Sequence, residues 1–277
     1  MRVQLSSAQG GGFAGVINMR NFLRPALAAL LMASVSIPAM AADLYVPPEE
    51  PVVVPVVGGW YIRGFLGMTN QRLGELRTDL YNDPDIEARG WHDKGGFGSS
   101  PLFGGGVGYQ FNDWIRGDVT AEYRGKADFN AVDWVKYYGS TPYTNDYRAR
   151  KSEWLFLANG YVDLGDFGPI VPYVGAGIGA SRNTISQFRD TNVLTGGAGW
   201  ASSDSKWNFA WALHAGLGIK ATDRMTIDLG YSFVNLGDAR TGPLRNDDPA
   251  YDVSNKGMEF HKLTSHDLKL GIRYAFN

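Results

Sequence analysis

The 277-residue chain holds 36 glycines, 14 phenylalanines, 14 tyrosines, 8 tryptophans and no cysteine, at a formal net charge of -2. Without cysteine, disulfide scaffolds, thiolate metal sites and cysteine nucleophiles are excluded, and the mild acidity argues against nucleic acid as a partner. Aromatic and glycine enrichment suits crowded, twisted sheets, and a mean hydropathy of -0.21 excludes no membrane barrel, because barrel strands alternate apolar with polar residues.

From Met19 the chain reads as a secretory signal peptide. Arg20 and Arg24 form a basic start, Pro25 to Ile37 is mostly apolar, and Ala39-Met40-Ala41 matches the small-x-small cleavage pattern. Cleavage is expected after Ala41, giving a signal peptide over residues 1–41. Residues 1–18 add nothing to such a signal, so Met19 is read as an alternative translation start. The apolar stretch is too short to span a bilayer. Asp43 to Gly58 follows with Pro47, Pro48, Pro51 and Pro55, and residues 42–58 are expected to form an extended periplasmic spacer.

Beyond Trp60 the pattern changes to period two, which places one residue set on each face of a strand. Eight segments show it. Gly59 to Thr69 sets Trp60, Ile62, Leu66 and Met68 against Tyr61, Arg63 and Phe65. Pro101 to Phe111 sets Phe103, Val107 and Tyr109 against glycines. Trp114 to Arg124 sets Ile115, Val119 and Tyr123 against Arg116, Asp118, Thr120 and Glu122. Ser152 to Leu164 sets Trp154, Phe156 and Val162 against Glu153, Asn159, Tyr161 and Asp163. Val171 to Ser181, Lys206 to Ala221, Met225 to Val234 and Ser265 to Phe276 continue in the same way. One face is apolar throughout and the other polar.

The connections alternate in length. Asn112-Asp113, Gly165 to Ile170 and Thr222 to Arg224 are short, with turn residues, whereas Asn70 to Ser100, Gly125 to Lys151, Arg182 to Ser205 and Asn235 to Thr264 are long and polar. Aromatics sit near the segment ends, where an interfacial girdle belongs. Together these features predict an all-β fold over residues 59–277: an eight-stranded antiparallel up-and-down transmembrane β-barrel with short periplasmic turns and four long, irregular extracellular loops.

The start Ala42-Asp43, the strand Gly59 to Gly67, the run Pro172 to Gly179 and the closing Leu268 to Phe276 resemble the small outer-membrane β-barrel surface-antigen family of alphaproteobacteria, relatives of opacity-type adhesins often labelled porin-family. The resemblance implies residence in the cell outer membrane, handling by the barrel-insertion machinery and surface-exposed loops. It covers Ala42 to the C-terminus, loops excepted. One departure is that Asn277 follows Phe276, where such barrels usually end on an aromatic residue.

Three constellations carry candidate chemistry. Arg63, Arg116, Lys269 and Arg273 fall on the inner face with Asp118, Glu122, Glu153, Asp163, Asp228 and Asp267. They could form a structural lumen network or line a small porin-like diffusion channel; eight strands leave room only for side chains, which favours the network. His92, His214, His261 and His266 match no catalytic or metal-ligand spacing, so neither a lipid-processing enzyme nor a bound metal or cofactor is expected. Gly104-Gly105-Gly106 and the glycines at 175, 177 and 179 open no helix that would hold a phosphate. Among the long links, Trp134, Tyr137, Tyr138, Tyr143 and Tyr147 form either a ligand-binding surface toward host or cell-surface partners or a continuation of the strands. Arg148, Arg150 and Lys151 suit the phosphates of lipopolysaccharide among outer-membrane lipid.

Overall fold

The computed structural model describes residues 58–246 and 257–276; the expected signal peptide and residues 42–57 of the spacer lie outside them. The described residues form β1 (Gly59–Arg72), β2 (Glu75–Thr78), a 3-10 turn (Asp79–Asn82), β3 (Ile86–Phe97), β4 (Ser100–Gln110), β5 (Ile115–Tyr137) and β6 (Tyr143–Asp163). Then come β7 (Ile170–Asn192), β8 (Ala198–Ala201), β9 (Asp204–Lys220), β10 (Met225–Arg240), β11 (Leu244–Asn246) and β12 (Met258–Ala275). β1, β4, β5, β6, β7, β9, β10 and β12 pair antiparallel in that order, and β12 returns to β1 with Leu66 opposite Leu270. The ring leaves no open edge, so each of these eight strands has two partners.

Alternation decides which way each side chain points. On β1, Trp60, Ile62, Leu66 and Met68 are exposed outward, while Tyr61, Phe65 and Thr69 are buried inside. On β4 the inward positions 104, 106 and 108 are glycines because bulky neighbours need the space. A Cβ on Gly104 would come within 2.7 Å of the Phe65 ring, and one on Gly108 would overlap the Tyr61 phenol. The short turns close locally. Asn112 Oδ1 accepts from the backbone N–H groups of Trp114 and Ile115 at 3.0 and 2.7 Å, an Asx turn; Gly165 and Gly168 take φ of 119° and 66° in the second link, a region open to glycine.

The opposite end departs from expectation. The segments read as long irregular loops are largely strand: β5 and β6 run far past Arg124 and Ser152, with only residues 138–142 between them. β3 pairs with β5, β2 with β12, β8 with β7, and β11 with β8, so the wall continues as an upper tier. Bulges interrupt the register between Arg124 and Ala127, between Arg148 and Arg150, and after Asn235. Gln187 and Lys262 have φ of 53° and 57°. Each bulge moves the inward phase by one residue. Above it sits an apolar core: the rings of Phe97, Phe129 and Phe260 lie 5.0–5.4 Å apart, packed with Leu236, Met258, Ile185 and Phe188.

Candidate functional site

The lumen is filled in layers. Nearest the short turns, Arg116 Nε donates to Asp163 at 3.1 Å, Arg273 pairs with Asp228 at 3.4 Å, and Arg63 donates to Asp118 at 2.9 Å. Tyrosines seal the gaps between these pairs. Arg116 lies 4.3 Å from the Tyr161 ring centre and 4.7 Å from that of Tyr173, close enough for cation–π attraction, and Tyr61 donates to Asp118 at 3.2 Å. A cavity of about 320 Å³, lined by Asp113, Asp166, Lys220 and Arg224 among others, opens below this layer.

The second layer centres on Arg124. Its guanidinium reaches Glu122 at 2.6 Å, Asp267 at 2.6 Å and Glu153 at 3.2 Å. Lys269 joins Glu122 at 2.5 Å; Lys151 contacts Glu153 and donates to Gln71 at 2.7 Å. Three cations therefore meet three carboxylates with Arg124, Lys151, Glu153 and Asp267 wholly buried. Between the two layers remains a cavity of about 30 Å³ beside His214, room for about one water. Above the second layer lies the apolar tier.

All ten expected lumen residues face inward and each has an ionic partner. Sequence reasoning misses Arg124 and Lys151. Arg124 continues the inward phase of Arg116, Asp118, Thr120 and Glu122, and Lys151 shares the phase of Glu153 and Asp163. Lys151 must therefore be withdrawn from the outward group suited to phosphates, while Arg148 and Arg150 do point outward and are exposed. The histidines disperse. His214 bonds Ser232 at 2.8 Å and Asn159 at 3.1 Å, His266 bonds Tyr231 at 2.6 Å, His261 lies between Asp238 and Glu259, and His92 rests against Trp134.

The aromatic cluster of the β5–β6 hairpin divides. Tyr147 is buried, its hydroxyl donating to Asp133 at 2.8 Å, so it leaves the exposed set; its inward phase follows from strand continuation. Asp133 also accepts from Tyr81 at 2.7 Å and from Asn145 Nδ2 at 2.9 Å. Tyr137 and Tyr143 stack at 5.9 Å, and Trp134 is half-buried. Tyr138 is 70% exposed at the tip. Sequence reasoning also misses its neighbours: Val193 and Leu194, 65% and 71% exposed, carry no motif. The Val193 N–H donates to Thr144 O at 2.9 Å and ties the two tips together. Beneath them, burial and the nearby Asp133 and Asp146 push the Asp190 carboxyl up to about 7, and Asp190 Oδ1 has no hydrogen-bond partner among the described residues. Burial likewise raises the phenols of Tyr81 and Tyr147.

The sequence matches the outer membrane protein β-barrel domain over residues 27–276. The chain belongs to this family. As a member of the outer membrane protein β-barrel family it resides in the bacterial outer membrane, its apolar belt outward, its short turns periplasmic and its upper tier outside the cell. Similar proteins include an uncharacterised protein of Brucella melitensis, 32% identical over 89% of this chain and 95% of the relative. The outer membrane protein PagN of Salmonella typhimurium is 29% identical over 63% of this chain and 73% of its own. A putative adhesin of Rickettsia bellii is 29% identical over 43% of this chain and 50% of its own.

Proposed function

We propose that the chain is an exported, non-enzymatic outer-membrane protein that presents a rigid extracellular crown for adhesion to another surface, while its lumen network serves as a structural plug. The observation that carries this reading is the trio Tyr138, Val193 and Leu194, exposed on two hairpin tips held together by a backbone hydrogen bond. Exposed apolar and aromatic side chains on a stiff support have the character of interface anchors. The family's putative adhesins support it. The filled lumen supports a plug over a diffusion channel, and the separate partners of the four histidines support a non-enzymatic role. Outer-leaflet lipid, lipopolysaccharide and the insertion machinery are its proposed membrane partners, and removal of the signal peptide after Ala41 is checked by N-terminal sequencing of the membrane form.

The test is display of the chain on a non-adherent laboratory strain and counting of bacteria bound to cultured cells. The Tyr138→Ser/Leu194→Ser variant is expected to lose most of the gained binding at an unchanged surface level. Equal binding by the variant, or none by the parent, sinks the proposal.

A further inference from the structure

The outward face of β5 to β9, just above the membrane belt, is unevenly charged. Tyr123, Trp154, Arg182 and Trp207 stand opposite one another across β5, β6, β7 and β9. A chain of rings marks this level: Phe103–Tyr123 at 5.5 Å, Tyr123–Trp154 at 5.0 Å, and Trp154–Phe156 and Phe156–Trp207 at 6.1 Å each. Such a belt lies at a membrane interface, and here it is on the side of the long hairpins, hence the outer leaflet. Arg182 is exposed within it, flanked by two tryptophans.

A second row stands six residues higher on β6. Arg148 is opposite Arg189, Arg189 opposite Trp200, and Trp200 opposite Arg245, all four exposed. Like charges placed directly across strands weaken a sheet, so the fold gains nothing from this arrangement. Lys126 and Arg150 lie between the rows. Arg148 and Arg150 are offset by Asp146 and Asp128, each at 3.0 Å. Among the described residues, Lys126, Arg182, Arg189 and Arg245 have no carboxylate within ion-pair distance, so this wall carries four uncompensated positive charges. The far wall is closer to balance, with Arg72, Arg77 and Lys262 against Glu75 and Glu259.

Depth selects the ligand. At a rise of ~3.3 Å per residue and a tilt of ~40°, successive residues climb ~2.5 Å along the barrel axis. Arg182 then sits at the hydrocarbon boundary, Lys126 and Arg150 within about 10 Å of it, and the Arg148 row about 15 Å above. Guanidinium groups bind phosphate oxygens through paired N–H donors. We propose that this wall is a binding site for the phosphates of lipid A in the outer leaflet: Arg182 and Lys126 hold the phosphate nearest the belt, Trp154 and Trp207 rest on the acyl chains, and Arg189 and Arg245 take anionic sugars of the core. The site is separate from the hairpin tips, so it stands whether or not those tips are adhesive.

The full protein, refolded into vesicles containing either bisphosphorylated lipid A or its dephosphorylated form, is tested for retained lipid A by native mass spectrometry. The parent is expected to prefer the phosphorylated lipid at least tenfold. Arg182→Gln alone should lower that preference roughly fivefold and Lys126→Gln/Arg182→Gln/Arg189→Gln should abolish it, as about 1 kcal/mol per surface cation implies. Far-wall Arg77→Gln/Lys262→Gln should retain it. Gel mobility checks that each variant is folded, and the single variant carries the test should the triple variant fail to fold. Equal retention of both lipids by the parent, an unchanged preference in Arg182→Gln, an equal loss in the far-wall variant, or binding to a soluble sulfated polysaccharide with no lipid A preference would each overturn the site.

Discussion

Replacing Arg124 by methionine isolates the charge balance of the second lumen layer. Arg124 is wholly buried and reaches Glu122, Asp267 and Glu153 at 2.6, 2.6 and 3.2 Å. Without it, three carboxylates face only Lys151 and Lys269, and one negative charge is left unbalanced where little water reaches. Removing one partner of a buried ion pair costs about 3–5 kcal/mol, and a domain of this size moves about 2–4 °C in midpoint per kcal/mol. Arg124→Met should therefore lower the midpoint of the heat-modifiability transition by on the order of 10 °C, read from folded and unfolded gel bands across a temperature series. The second variant decides the cause. Arg124→Met/Asp267→Asn restores two cations against two carboxylates, and the amide oxygen that replaces the carboxylate can still accept from Ser265, which donates to Asp267 at 2.5 Å. It should recover at least half the loss. A midpoint within about 2 °C of the parent in the single variant, or no recovery in the double variant, refutes the reasoning that charge balance holds this layer.

Three further outcomes follow from the same geometry. The Asp190 carboxyl is pushed from 3.8 to about 7, so between those values the folded crown keeps a proton that the unfolded chain releases. Its stabilisation is full below about 4 and is lost as pH rises through about 7, up to about 4 kcal/mol. Amides near Tyr147 and Asp190 should be better protected from hydrogen exchange at pH 5 than at pH 8 after correction for intrinsic rates, and Asp190→Asn should abolish the difference; a pH response that persists in Asp190→Asn counts against this. Gly108→Ala drives a methyl into the Tyr61 ring and should cost about 1–3 kcal/mol by overpacking, read as a lower gel-shift midpoint; an unchanged midpoint counts against close packing there. In planar bilayers the refolded barrel should give no stable openings; reproducible conductance steps would reopen the channel reading.

The membrane-facing half was legible in the sequence because lipid leaves the chain little choice. With no water to satisfy backbone groups, strands must close on themselves and show grease outward, so Trp60, Ile62, Leu66 and Met68 declare one face and Arg63 the other. The same phase carries all ten lumen residues inward, and it extends to Arg124 and Lys151 once the segments are not cut where the outward apolar residues stop. Above that level the solvent changes and the polarity of the pattern inverts. Phe129, Tyr147 and Phe188 turn in while Arg148, Arg150 and Arg189 turn out, as in a water-soluble sheet. The bulges near Lys126 on β5 and Gln187 on β7 then shift the phase by one. A fixed period-two window reads inversion combined with a phase slip as irregularity, which is why these strands look like loops in the sequence.

That inversion bears directly on function. β5 has 23 residues, which at ~3.3 Å rise and ~40° tilt reach about 55 Å along the axis, while the apolar band takes only about 25 Å. Most of the remainder is paired wall with a packed core of phenylalanine, leucine and methionine, not mobile loop. Tyr138, Val193 and Leu194 are thus held well above the hydrocarbon boundary on a support whose ordering has already been accounted for by the fold, and a partner binding there loses little affinity to loop ordering. The aromatic belt and its arginines remain near the lipid. The two surfaces therefore answer to different partners at different heights, and a variant at one should leave the other unchanged.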